Sequence, residues 1–133
     1  MHCVEHLVVD GMNVIGSRPD GWWRDRDAAA RRLLGRLQLL VARGEIEVTL
    51  VLDGASSRLL GEGMHDGVPV LFARDAGVAT ADDRIVALLR GGAHEDTQVV
   101  TSDRALQARV RELGATVSSP RALLARLDAI DGG

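Results

Sequence analysis

Three apolar runs in this chain each stop at an aspartate. Leu7-Val8-Val9 ends at Asp10-Gly11, Ile46 to Leu52 ends at Asp53-Gly54, and Thr97-Gln98-Val99-Val100-Thr101-Ser102 ends at Asp103. Short runs of this kind, rich in Val, Ile and Leu and bounded by turn residues, read as buried strands. In a parallel sheet the ends of such strands lie on one edge, so three carboxylates from distant parts of the chain are delivered to a single rim. Gly11 is expected to let the backbone turn after the first tip, with Asn13 facing the same space.

The intervening segments fit that reading. The first strand is expected over about residues 4–10, followed by a loop from Gly16 to Trp23 that contains Pro19, Asp20 and Gly21. Ala29, Leu33, Leu37, Leu40 and Val41 recur at helical spacing, which predicts a helix from about Asp25 to Arg43 that stops at Gly44. Strands are expected at about 46–52, 68–72, 97–101 and 115–117. Residues 54–66 read as a loop, because glycines interrupt any longer period. A helix from Thr80 to about Arg90 opens with Thr80 as N-cap and with Asp83 placed to complete a capping box. Leu106, Val110 and Leu113 mark a further helix, and Ser119-Pro120 starts the last one. This order predicts an α/β fold, a Rossmann-like three-layer sandwich around a mainly parallel five-stranded sheet. One domain is expected over residues 1–130, with 131–133 as a frayed tail.

With 133 residues, 46% of them apolar, the chain suits one core. The single cysteine, Cys3, rules out an internal disulfide framework. Residues 1–9 have no secretory pattern, and no apolar run approaches the ~20 residues needed to span a bilayer, so the expectation is a cytoplasmic protein. The net charge of −3 is not the footprint of a basic nucleic-acid binder. All sixteen basic residues are nevertheless Arg. Arg18, Arg24, Arg26, Arg58, Arg74 and Arg104 fall in loops beside the expected carboxylate rim, and the planar guanidinium matches phosphate geometry. Solvated surface is the plainer explanation for any one of them.

A fourth acid joins the rim. Asp82 lies three residues before Ile85 and seven before Leu89, which puts it at the head of its helix's buried stripe, whereas Asp83 is turned about 100° toward solvent. Like charges at 4 Å repel by about 4 kcal/mol at an effective dielectric of 20. A divalent cation relieves that repulsion, and an all-oxygen donor set selects Mg²⁺ or Mn²⁺ over zinc. Such an ion, partly hydrated, can activate water toward a phosphodiester.

Val9-Asp10-Gly11-Met12-Asn13-Val14-Ile15, Leu52-Asp53-Gly54, Thr80-Ala81-Asp82-Asp83-Arg84-Ile85-Val86 and Val100-Thr101-Ser102-Asp103 together resemble the signature segments of the YacP-like group of NYN domains, within the PIN-like nuclease superfamily. The resemblance covers about residues 6–118 and implies a PIN-like fold and metal-dependent cleavage of RNA. It implies Asp10, Asp82 and Asp103 as metal ligands, directly or through water, with Asp53 as a further acid. By the same resemblance Asn13 orients a ligand or phosphate and Ser102 supports Asp103. The chain is short and acidic for such a protein, and longer members carry an additional helical or basic portion.

Each residue also has a plainer role. Asp10 and Asp53 suit ordinary turns, Asp103 an N-cap, and Asp82 and Asp83 the dipole of their helix. Trp22 and Trp23 sit in the loop after the first strand, where one ring could stack on a base of single-stranded RNA and at least one is expected to anchor the loop. His2, His6 and His94 show no ligand spacing, His65 is assigned no role, and Met12 is expected in the core. The leading expectation is an endoribonuclease with RNA contacts at Arg18, Trp22, Arg24, Arg58 and Arg104. The alternative is a non-catalytic RNA-binding or ribosome-associated module. A phospho-accepting receiver domain is disfavoured, since it calls for a lysine after the last strand and the chain has none. A ribosome or protein partner and a homodimer both stay open.

Overall fold

A computed structural model describes residues 5–18, 21–58, 60–92 and 96–131. Cys3, His2, His94, Pro19, Asp20 and Gly132-Gly133 lie outside the described residues. The chain runs β1 (Glu5–Asp10), α1 (Gly11–Gly16), a 3-10 turn (Trp22–Arg24), α2 (Arg26–Ala42), β2 (Ile46–Leu52), β3 (Gly63–His65) and β4 (Val68–Phe72). It continues with a 3-10 turn (Arg74–Ala76), α3 (Ala81–Arg90), β5 (Thr97–Val100), α4 (Arg104–Glu112), β6 (Thr116–Ser118) and α5 (Pro120–Asp131). No helix among the described residues is long and apolar enough to cross a membrane.

The six strands form one sheet in the order β3-β4-β2-β1-β5-β6, and every pair is parallel except β3 with β4. β1 is central because it is buried on both faces. Leu7 and Val9 face a layer built from α1, α2 and α5, where Leu33, Leu37, Leu40 and Leu127 pack. Val8 faces the opposite layer with Ile85, Leu89, Leu106 and Val110 of α3 and α4. This is the expected three-layer α/β sandwich with one strand more than the sequence pattern suggested.

The additional strand is β3. Asp66 and Gly67 both adopt positive φ, at 44° and 90°, which closes a two-residue hairpin onto β4. Asp-Gly before an apolar strand is a known signal for this turn. The three-residue strand is otherwise hard to recognise, because it lies at the edge and Met64 is 69% exposed.

The first strand also ends differently from expectation. Gly11 begins α1 directly and does not need a left-handed backbone. Its lack of a side chain makes room: a Cβ there would lie 2.6 Å from Leu52 Cδ2, 2.9 Å from Leu50 Cδ1 and 3.1 Å from the Val51 carbonyl oxygen. The helix therefore leaves β1 tight against β2, and Asn13 sits in its first turn beside Asp10. Gly11→Ala should destabilise the fold by about 1–3 kcal/mol, as overpacking in a closed core does. Urea unfolding checks this, and an unchanged midpoint would show that β2 yields freely.

Candidate metal and RNA site

Register places the acids. Asp10 pairs with Val51 of β2, and Val9 pairs with Val100 of β5, so Asp10, Asp53 and the Thr101-Ser102-Asp103 segment emerge at one end of three adjacent strands. Asp82 reaches the same rim from the first turn of α3.

Each acid at a strand end is held by one oxygen. Asp10 Oδ2 accepts a 2.9 Å hydrogen bond from Thr101 Oγ1. Asp53 Oδ1 accepts from the Ala81 amide at 2.7 Å, which ties β2 to the start of α3. Asp103 Oδ1 accepts from the Leu106 amide at 3.0 Å as the N-cap of α4. The second oxygen of each has no hydrogen-bond partner among the described residues. The plainer capping role of Asp103 and its place at the rim are thus one arrangement, since capping fixes the side chain and leaves an oxygen over.

The charges of the four acids act on one another. Asp10 is 4% exposed. Burial, opposed by the Thr101 hydrogen bond and reinforced by the charges of Asp82, Asp53 and Asp103, raises its pKa from 3.8 to about 6. Burial and the charges of Asp103 and Asp53 also push Asp82 upward, with Arg109 opposing. The donor set is all oxygen and suits a hard cation. As placed, no three acidic, histidine or cysteine side chains among the described residues converge into a ready-made ligand set.

The supporting contacts differ from expectation. Ser102 donates from its amide and its hydroxyl to Asn13 Oδ1, both at 2.9 Å, so it supports Asn13 rather than Asp103. Thr101, not singled out from sequence, joins the two acids. Fully buried, it donates to Asp10, and its Oγ1 accepts from the Asp103 amide at 3.1 Å. The available signal was a hydroxyl residue at the tip of a strand flanking Asp10. Thr80 caps α3 by accepting from the Asp83 amide at 3.2 Å. The Asp83 carboxylate does not complete the box; it pairs with Arg109 at 3.4 Å.

The expected RNA contacts are dispersed. Arg18 forms an ion pair with Asp128 at 2.7 Å, and together with Arg36 it holds the Asp128 carboxyl down at about 2. Trp22 is half-buried against the core layer of α2, with the Arg26 guanidinium 5.6 Å from its ring centre. Trp23 stands edge-on to it at 6.1 Å and is 52% exposed, so Trp23 offers the freer stacking face. Arg24 lies 6.0 Å from the Trp23 ring centre, while Arg58 and Arg104 are exposed. His65 bonds the Gly61 carbonyl oxygen through Nε2 at 2.7 Å, a loop contact. Met12 is only partly buried and lines a cavity beside Asp53.

The model of the YacP-like NYN domain family matches residues 7–132. The chain belongs to that family. A crystal structure of a point mutant of Rae1 (YacP) from Bacillus subtilis is similar to this NYN domain at 26% identity with a TM-score of 0.78, covering 96% of this chain and 77% of that one. A second structure of Rae1 (YacP) is similar at 27% identity and a TM-score of 0.75, covering 96% and 75%. No curated protein matches the sequence. NYN domains have the PIN-like nuclease fold, which here presents its acids at the C-terminal ends of the parallel strands, where open α/β sheets bind ligands.

The raised pKa of Asp10 has a stability consequence. The native state holds this proton more tightly than the unfolded chain, so the contribution is fully present below 3.8 and is lost as pH rises through about 6. In metal-free buffer, stability should fall by up to about 3 kcal/mol across that window. Asp10→Asn should remove the larger part of the fall and leave the part that Asp82 contributes, as measured by chemical denaturation at pH 4.5 and pH 8. A parallel decline in both proteins would assign it to other groups.

Proposed function

We propose that this NYN domain is an endoribonuclease of the cytoplasm that hydrolyses RNA phosphodiester bonds with a carboxylate-held Mg²⁺ or Mn²⁺. The observation that supports this most is the rim itself. Asp10, Asp53 and Asp103 are each fixed through one oxygen and keep the other spare. Burial together with the neighbouring acids raises the pKa of Asp10 and of Asp82, so that full ionisation of the rim is favoured by a counter-ion. A hydrated hard cation typically takes one or two carboxylates directly and the rest through water, which suits acids that do not close into a ligand cage. Asp10, Asp82 and Asp103 would hold it, with Asp53 as a further acid. Bound there, it would supply a water of lowered pKa and screening of phosphate charge.

The chain's own residues supply the rest. Thr101 sets the positions of both Asp10 and Asp103 by one hydroxyl. Asn13, with its oxygen committed to Ser102, keeps its amide NH₂ to donate to a phosphate oxygen. Arg24, Arg58 and Arg104 provide cationic surface for the RNA backbone, with Trp23 or Trp22 stacking on an unpaired base. Arg18 contributes only if it leaves Asp128.

A second reading rests on the same observation seen from the other side. Because the acids do not converge into a ready-made ligand set, the domain would bind RNA without cutting it. Manganese titration with a labelled single-stranded RNA separates the two. For the nuclease, Asp10→Asn and Asp103→Asn should lose cleavage by about 100-fold or more, and Thr101→Val should lose about 10–100-fold in metal affinity with the fold retained. RNA binding that is indifferent to manganese and to Asp10→Asn, without cleavage, would favour the non-catalytic module.

A further inference from the structure

Beside the acidic rim lies a cavity of about 220 Å³ that the chemistry above does not use. Its walls are apolar, formed by Met12, Ala30, Leu52, Leu60 and Phe72, and it opens next to Asp53. Arg26 and Asp27, at the start of α2, also line it. The N-cap of that helix is Asp25, which accepts from the Ala28 amide at 3.0 Å, so Asp27 is not needed for capping. Asp27 has no hydrogen bond or ion pair among the described residues, and Arg26 is held in place through the ring of Trp22. An acidic residue and a basic residue, adjacent in sequence, thus both line an apolar slot, with the acidic rim as its neighbour.

We propose that this cavity binds one guanine base of single-stranded RNA and so sets which nucleotide lies beside the cleaved bond. The proposal rests on RNA being the substrate of the rim. A planar base suits a slot with aromatic and aliphatic walls, and an unpaired strand leaves its Watson–Crick edge free to be read. Guanine offers adjacent N1–H and N2–H donors, which a carboxylate accepts as a pair, next to the O6 acceptor that a guanidinium can contact. Adenine and cytosine each present an amino group beside a ring acceptor, and uracil flanks its single N–H with two carbonyls, so none of these matches Asp27 with two donors. Asp27 is the specificity-determining residue, and Asp53 joins the slot to the rim.

Two measurements test this independently of each other. In the first, the full chain with labelled methyl groups is titrated with 5′-GMP, AMP, CMP and UMP in metal-free buffer. GMP should shift the Ala30, Leu52 and Leu60 methyl signals with roughly tenfold higher affinity than the others, and Asp27→Asn should erase that preference. Ala55→Trp, an exposed change at the lip of the slot, should weaken all four ligands, which keeps the test decisive if Asp27→Asn folds poorly. In the second, manganese-dependent cleavage is compared on RNAs that differ at one nucleotide, with guanine expected to be cut about tenfold faster at that position. Guanine-selective methyl shifts without any cleavage would uphold the pocket and defeat the nuclease. Base-indifferent cleavage with unmoved cavity methyls would overturn the pocket and leave the nuclease standing.

Discussion

A carboxylate buried at the end of the central strand is the feature to which the surrounding structure answers. Asp10 is closed in by apolar strands on both sides, and its ionised form is expensive there without compensation. One hydroxyl, from Thr101, provides a hydrogen bond, and three further acids at the rim oppose ionisation. The fold therefore holds a group that is comfortable only when protonated or matched by positive charge. Among the described residues, the arginines near the rim are engaged elsewhere: Arg84 with Glu62 and the Phe72 carbonyl oxygen, and Arg109 with Asp83, from where its charge offsets only part of the shift at Asp82.

Two acids of the rim, Asp53 and Asp103, also do a structural job that fixes their side chains. Asp53 receives the first amide of α3 and Asp103 that of the third residue of α4, so two helix starts and two strand ends are locked by the same oxygens that place the site. Negative charge at helix N-termini is favourable on its own, which offsets part of the mutual repulsion. Asn13 is fixed in the same manner by two donors from Ser102. Preorganisation of this kind removes the cost of ordering the groups when a ligand arrives.

Most of the architecture could be read from residue patterns, because buried strands and amphipathic helices leave strong periodic traces. Val8 and Val9 face opposite layers as two-residue alternation requires, and Asp82 heads the Ile85-Leu89 stripe as helical spacing requires. What escaped was set by contacts between distant segments. Gly11 looked like a turn residue, whereas its role is to admit Leu50 and Leu52. Ser102 and Thr101 are neighbours with similar chemistry, and only the register of β5 against β1 decides which of them meets Asp10. Of two adjacent tryptophans, packing against the core layer selects Trp22 as the buried one. The Asp27 slot needed α2, β2 and the loop at Leu60 brought together, which no local pattern announces.

Coupling between the Asp10 proton and a cation is the centre of this picture, and it can be observed at a single atom. The side-chain carboxyl carbon of Asp10, followed by ¹³C NMR through a pH titration, should report a midpoint near 6 in metal-free buffer. Saturating Mg²⁺ should move that midpoint down by at least about one unit, as a bound cation favours the ionised carboxylate. A midpoint near 4 that magnesium leaves in place would contradict both the buried charge and its pairing with a metal.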